Sequence, residues 1–153
     1  MPTYFNQEEL AALQALEGKH LAQVFYTIWR NISKPEEPYE ALDCLELRFA
    51  DGDDIAFTRA EEGQGIQIED YHFALEQTKV VQQFRGQVEL ERIDMSQSPV
   101  WQACIGLPVT AIGLEHHGPK LHPSHVIQIE FGRQTQEIAL GEEGLIVVNN
   151  SGN

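Results

Sequence analysis

The sequence predicts an α+β protein that is dominated by antiparallel β-sheet. Two observations predict this class. Most apolar residues alternate with polar ones over short runs, which is the pattern of a strand with one buried face, and only short helices are indicated. The same order of short helix, glycine, strand, long loop and β-meander also occurs twice along the chain. We therefore expect an internal duplication of a short helix plus β-meander unit, arranged as a curved sheet or a partly closed barrel.

The repeat is clearest in two strand patterns that lie some eighty residues apart. Residues 45–49 read LELRF and residues 127–131 read IQIEF. Upstream, residues 14–18 and 102–106 share the pattern Gln-Ala-x-x-Gly. The alternative is chance resemblance, because alternating strands use few residue types. The shared glycine and the shared phenylalanine at the strand end favour a true repeat.

The length of 153 residues suits a single domain with one core. We expect two similar halves, about 5–70 and 97–150, joined by residues 71–96. The chain has no run of about 18 apolar residues, so no membrane association is expected. Its first residues lack a secretion-signal pattern, and Cys44 and Cys104 are expected to be buried thiols. These features predict a cytoplasmic protein.

The first half begins with a helix that has several start and stop signals. Asn6 can cap it, Glu9 completes a capping box, and Gly18 can end it in a left-handed conformation. A long strand is expected over 21–29, followed by an exposed loop over 31–39. The alternating run 42–49 and the turn residues Asp51 and Gly52 predict a hairpin, and Ile55 to Ile68 continues the meander.

The middle of the chain has the weakest pattern. Residues 73–84 fit a helix or one to two strands, because their apolar positions match neither period. Residues 88–93 alternate as a strand, which we expect to run beside the second copy. Ser98 and Pro99 are typical of a second short helix, which Gly106 would end. A strand over 109–114 and a loop over 115–123 then repeat the order of the first half.

The formal net charge of −14 predicts a basic protein partner rather than nucleic acid, whose binding needs clustered Lys and Arg. Residues 1–70 carry 15 acids and 5 bases, whereas residues 71–153 carry 9 and 5, so the first half is the more negative. Solubility alone is the simpler explanation of such a charge. The candidate protein-binding residues are Glu36, Glu37, Glu40, Asp51, Asp53, Asp54, Glu61 and Glu62.

No motif indicates an enzyme. The chain has no Gly-x-Ser-x-Gly elbow, phosphate-binding loop, dinucleotide fingerprint or His-Glu-x-x-His pair. We therefore expect no catalytic residues and no cofactor. The predicted function is a non-enzymatic cytoplasmic protein-binding module, in one version an inhibitor or immunity-type protein that neutralises a basic toxin.

Two alternatives remain open. A structural or self-associating domain would pair two copies through the apolar run 145–148 and form a homodimer, unless that strand is buried on both faces. A metal-binding protein would use the histidine loop, residues 116–125, since imidazole is a common ligand for zinc, copper and nickel. The spacing in this loop matches no zinc signature, and its Gly and Pro residues suit an ordinary turn. The candidate ligands are His116, His117, His122 and His125.

Overall fold

The computed structural model describes residues 3–33, 36, 39–60, 65–118, 121–142 and 144–151. Its described part contains two α-helices, nine strands and one short 3-10 turn, so the α+β class dominated by antiparallel sheet is confirmed. The helices are α1 (Gln7–Gln14) and α2 (Phe73–Gln83). The strands are β1 (Leu21–Asn31), β2 (Tyr39–Phe49), β3 (Asp54–Arg59), β4 (Ile66–Glu69), β5 (Val88–Asp94), β6 (Ala111–Leu114), β7 (Val126–Phe131), β8 (Gln134–Leu140) and β9 (Leu145–Ser151).

The strands form two open antiparallel sheets. The first sheet has the order β4-β3-β2-β1-β5, and the second has the order β6-β7-β8-β9. In each sheet four strands that are consecutive in sequence form an antiparallel meander. In the part of the chain that the structure describes, neither sheet closes into a barrel.

Helix α1 begins with the capping box that the sequence predicts. The backbone N–H of Glu9 donates to Oδ1 of Asn6 at 2.7 Å, and the backbone N–H of Asn6 donates to Oε1 of Glu9 at 3.0 Å. Gly18 follows the helix with a φ of 86°, which is the left-handed conformation expected after a helix end. This helix buries Leu13 completely.

Reciprocal hydrogen bonds join the starts of the two halves. The N–H of Gly18 donates to the carbonyl of Val109 at 2.8 Å, and the N–H of Gly106 donates to the carbonyl of Leu21 at 2.7 Å. The two glycines have nearly the same φ, 86° and 87°. Gly18 therefore binds the segment that precedes β6, and Gly106 binds the first residue of β1.

One hydrophobic core contains side chains from both sheets. The two matching strand patterns supply much of it, because their apolar positions all face inward and are at most 2% exposed. Full burial of each such side chain contributes about 1.5–3 kcal/mol to the free energy of unfolding. These core residues are Leu45, Leu47 and Phe49 on β2, and Ile127, Ile129 and Phe131 on β7.

The segment 71–96 contributes one strand to the first sheet. Its strand β5 pairs with β1 in antiparallel fashion, so the prediction that this strand runs beside the second copy is wrong. Alternation identifies a strand but carries no information about its neighbour. The ambiguous run 73–84 is mostly helix α2. Phe84 follows this helix, and its ring packs edge-on against the ring of Trp29, with 5.7 Å between centroids.

The start of the second half contains a shorter helix and a shorter strand than the sequence predicts. The expected short helix is reduced to a turn that ends in a 3-10 segment over Gln102–Cys104, and strand β6 begins only at Ala111. The N–H groups of Trp101 and Gln102 both donate to the carbonyl of Ser98. Among the described residues, no helix is both long and apolar enough to cross a membrane.

Candidate functional site

A groove lined by acidic side chains lies where helix α1 meets strands β2, β3 and β4. Its volume is about 340 Å³, and we call it the acidic groove. Six carboxylates line it, and no Lys, Arg or His is among its described lining residues. Carboxylates at such density produce a strongly negative local potential. They are Glu8, Glu9, Glu46, Asp54, Glu69 and Asp70.

The pairing register of the first sheet explains why three of these lining residues meet. Glu46 on β2 lies opposite Ala56 on β3, and Ala56 lies opposite Glu69 on β4. Residues opposite each other across neighbouring strands point to the same face of the sheet. The small Ala56 therefore lies between two carboxylates, in one row across three strands.

Some of the groove carboxylates are held by other groups of the protein. Oε2 of Glu9 accepts a hydrogen bond of 2.9 Å from the backbone N–H of Ile68, so this side chain joins α1 to the edge strand β4. Oε1 of Glu69 accepts a hydrogen bond of 3.1 Å from the hydroxyl of Thr58. These contacts fix the shape of the groove and leave its charge negative.

Glu46 is the groove carboxylate with a bidentate partner. The guanidinium of Arg92 donates to both of its oxygens, at 2.9 and 3.2 Å. Arg92 lies over the ring of Phe25, at 3.9 Å from the centroid, and Arg48 lies 5.3 Å from the same centroid. Both arginines line a neighbouring cavity, which also includes His72 and shares Glu46, Asp54, Asp70 and Tyr71 with the groove. A cationic boundary therefore limits the groove on this side.

The remaining carboxylates are available to a ligand. Glu8, Asp54 and Asp70 are exposed, and within the described residues none of them forms an ion pair. Apolar lining comes from Ile55 and Ile68, and Tyr71 contributes an aromatic ring. A site with a negative rim and apolar surface matches a Lys or Arg side chain, whose aliphatic stem is apolar and whose head is charged.

The predicted acidic residues are divided between the two ends of strand β2. At one end, Oε1 of Glu40 accepts a hydrogen bond of 2.7 Å from Nε of Arg30. At the other end, Asp51 and Asp53 both pair with the ammonium of Lys19, with 2.9 Å to Asp51. The 11 residues of β2 separate these ends by about 35 Å. Glu40 therefore lies far from Asp51 and Asp53, so these three predicted residues do not form one surface patch.

Asp54 is the predicted residue that lines the acidic groove. Glu36 is exposed in the connection between β1 and β2. Glu37, Glu61 and Glu62 lie outside the described residues. Five groove carboxylates were not predicted, namely Glu8, Glu9, Glu46, Glu69 and Asp70. The hairpin register set by the Asp51-Gly52 turn is the signal that could have placed Glu46 on the groove face.

The histidine loop is divided into pairs. Nε2 of His125 lies 3.0 Å from Oε2 of Glu115, and the rings of His116 and His122 meet edge-on at 4.6 Å between centroids. Nδ1 of His122 lies 3.1 Å from the backbone oxygen of Glu115. In the described ranges, no group of three or more His, Cys, Asp or Glu side chains is placed to hold a metal ion. His117 lies instead beside Tyr4, with 3.4 Å between Nδ1 and the hydroxyl oxygen.

A second cavity with a mixed lining lies between α2 and the outer face of the first sheet. It has a volume of about 620 Å³, and Asp43, Tyr71, Glu76 and Lys79 are among its lining residues. Burial raises the pKa of the Asp43 carboxyl, and the nearby carboxylates add to this effect. Burial also raises the pKa of the Tyr71 hydroxyl. This cavity holds acids and bases together, so it lacks the single sign of charge that distinguishes the acidic groove.

Comparison with protein-family models, with curated proteins and with solved structures finds no match for this chain.

Proposed function

We propose that this chain is a non-enzymatic, cytoplasmic protein-binding module whose acidic groove receives a Lys or Arg side chain of a basic partner. One observation carries the proposal, namely that six carboxylates line one groove without a cation among its described lining residues. Four of the six, namely Glu8, Asp54, Glu69 and Asp70, are exposed and form no ion pair within the described chain. A basic side chain that enters the groove therefore gains attraction without breaking an existing ion pair.

The lining of the groove suits both parts of a Lys or Arg side chain. Ala12 and Ile68, which are both half-buried, offer apolar surface to the methylene stem. Glu8, Asp54 and Asp70 are placed to meet the cationic head at the rim. The ring of Tyr71 adds a cation–π surface, which contributes about 0.5–1 kcal/mol at an exposed site.

The charge of the whole chain supports the same kind of partner. A net charge of −14 accelerates encounters with a basic protein, and the rate falls as salt screens the charges. An inhibitor or immunity-type protein is a concrete version, because it must bind a basic toxin such as a nuclease quickly. In this version the groove accepts the basic side chain that anchors the toxin.

The test uses short peptides that differ only in a central Lys, Arg or norleucine. We expect the Lys and Arg peptides to shift the backbone amide resonances of Ile68, Asp70 and Tyr71 in an NMR titration. The norleucine peptide should leave them unchanged, because it retains the stem and lacks the charge. Binding should weaken between low salt and about 0.15 M salt, where the screening length is about 8 Å.

Two variants of equal net charge distinguish binding in the acidic groove from general attraction by the charge of the whole chain. The groove variant combines Glu8→Gln, Asp54→Asn and Asp70→Asn, and the control combines Glu17→Gln, Glu36→Gln and Glu142→Gln, all at exposed positions. Each variant has a net charge of −14 + 3 = −11. The proposal expects peptide binding to be lost in the first variant and retained in the second. An equal loss in both variants would show that net charge alone attracts the peptide.

We also infer that the two halves derive from an internal duplication. The reciprocal bonds of Gly18 and Gly106, and the matching core patterns of β2 and β7, support this origin. The first half then carries an addition, α2 and β5, that extends its sheet beyond β1. The acidic groove belongs to this extended half.

A further inference from the structure

Strand β9 forms an edge of the second sheet, where it pairs with β8 alone. All seven of its residues are uncharged, although the chain as a whole carries −14. Ile146 and Val148 lie on the solvent-facing side of the sheet, and their exposed fractions are 48% and 41%. An uncharged edge strand with exposed β-branched residues and no proline lacks the features that normally prevent strand pairing.

The edges of the first sheet are protected by the chain itself. On β4, the N–H of Ile68 donates to Glu9, and the N–H of Ile66 donates to the carbonyl of Ser124. On β5, the N–H of Leu90 donates to Oε1 of Gln77 at 2.7 Å. In the part of the chain that the structure describes, no such bond reaches the outer edge of β9. In the second sheet, β6 has four residues, which makes a short edge.

The hairpin geometry identifies the backbone groups that β9 presents. The N–H of Gly141 donates to the carbonyl of Gly144 at 2.7 Å. Because hydrogen-bonded and non-hydrogen-bonded pairs alternate along an antiparallel ladder, the N–H and C=O groups of Val147 and Asn149 point away from β8. They form a row of donors and acceptors that a further antiparallel strand can satisfy.

We propose that this edge binds a second copy of the chain, through antiparallel pairing of β9 with β9 about a two-fold axis at Val148. In this register Val147 of one copy pairs with Asn149 of the other, and the two Val148 side chains meet. Glu40 and Glu142 lie beside the start of β9, but β9 itself is uncharged, so pairing of two copies places no like charges opposite each other along the strands. A basic partner, in contrast, is attracted to the acidic groove, so the two surfaces serve different partners.

The size of the contact sets the expected affinity. Pairing of two seven-residue edges buries less surface than the roughly 1,200–2,000 Å² of a standard stable interface. We therefore expect a reversible dimer with a dissociation constant in the micromolar range. The second sheets of the two copies would join into one continuous sheet.

Sedimentation equilibrium from micromolar to near-millimolar concentration tests the dimer. We expect the wild type to dimerise, Val148→Lys to remain monomeric and Val81→Lys to dimerise as the wild type does. Val81 is a matched control because it is a valine with the same exposure, 41%, on helix α2. Circular dichroism melting checks that both variants remain folded. A monomeric wild type, or a dimer that only Val81→Lys disrupts, overturns the proposal.

A cysteine cross-link tests the register independently of any loss of folding. Val148→Cys should form a disulfide-linked dimer under mild oxidation, because two cysteines that face each other across a non-hydrogen-bonded pair satisfy disulfide geometry. The native Cys44 and Cys104 are buried, so they do not compete. Val81→Cys should cross-link at least tenfold more slowly. Equal rates for the two variants would contradict pairing at Val148.

Discussion

The hydroxyl oxygen of Tyr26 accepts a hydrogen bond of 2.8 Å from Nε1 of Trp101. This bond joins strand β1 of the first sheet to the turn that precedes the second sheet. Trp101 is completely buried, and burial raises the pKa of the Tyr26 hydroxyl. Tyr26 and Trp101 thus contribute to the core between the halves, where each satisfies the polar group of the other.

Tyr26→Phe should reduce the free energy of unfolding by about 1–3 kcal/mol, because it leaves the buried indole N–H without its acceptor. Urea denaturation at neutral pH measures the difference. The matched control is Tyr4→Phe, since the Tyr4 hydroxyl is exposed and its contact with His117 is long, at 3.4 Å. The control should lie within about 0.5 kcal/mol of the wild type. Equal effects of the two changes would contradict a specific role for the Tyr26–Trp101 bond.

The glycines at the junction of the halves should have equal importance for stability. Gly18→Ala and Gly106→Ala should each reduce the free energy of unfolding by about 1–2 kcal/mol, because a Cβ atom disfavours the left-handed conformation. Space is not the reason, since nothing lies within 4 Å of an added Cβ at either position. Asn at either position should cost less than Ala, since Asn tolerates this conformation better. Urea denaturation of the four variants measures this order, and a loss confined to one glycine would contradict the equivalence.

Glu9 and Glu8 are adjacent carboxylates with different structural roles. Glu9→Gln should reduce the free energy of unfolding by about 1–3 kcal/mol, because an amide cannot accept both of the bonds that Glu9 makes, to Asn6 and to Ile68. Glu8→Gln removes the same charge from an exposed side chain and should change the free energy of unfolding by less than about 0.5 kcal/mol. Thermal or urea unfolding compares the two. If both lose the same amount, charge at the helix start matters more than the bond to β4.

Local patterns were sufficient to predict most of the elements. The capping box at Asn6, the left-handed Gly18 and the alternating strands 45–49 and 127–131 all depend on neighbouring residues, and the structure contains each of them. The position of β5 was not predictable in this way, because the partner of a strand is chosen by long-range packing. Helix α2 was ambiguous because none of its described residues is fully buried, which leaves no clear apolar stripe.

The candidate site likewise depends on long-range strand pairing, which local sequence patterns do not determine. Sequence order grouped Glu40, Asp51 and Asp54 as one acidic stretch, yet β2 places Glu40 far from the other two. The groove collects its carboxylates from α1, β2, β3, β4 and the residue after β4. Its formation depends on the register that aligns Glu46, Ala56 and Glu69, which a sequence pattern predicts only after the hairpins have been assigned.

Two aspartates should affect stability in opposite directions as pH changes. Burial raises the pKa of Asp43 in the folded state, so its carboxyl imposes no penalty at a pH below the unfolded value and an increasing penalty as pH rises towards the folded value. Hydrogen bonds from the Ser96 side chain and backbone lower the pKa of Asp94, with 2.9 Å from the Ser96 N–H to Oδ1. Asp94 therefore stabilises the fold above its unfolded pKa, and this contribution is lost as pH falls through its folded pKa.

Asn substitutions at these two positions separate the effects. At about pH 7, Asp43→Asn should unfold at a higher urea concentration than the wild type, whereas Asp94→Asn should unfold at a lower one. Both differences should decrease towards about pH 3, where the carboxyls become protonated in both states. Each variant removes one negative charge, so a simple gain from reduced net charge would stabilise both. Opposite signs at neutral pH therefore identify the local environments of Asp43 and Asp94 as the cause.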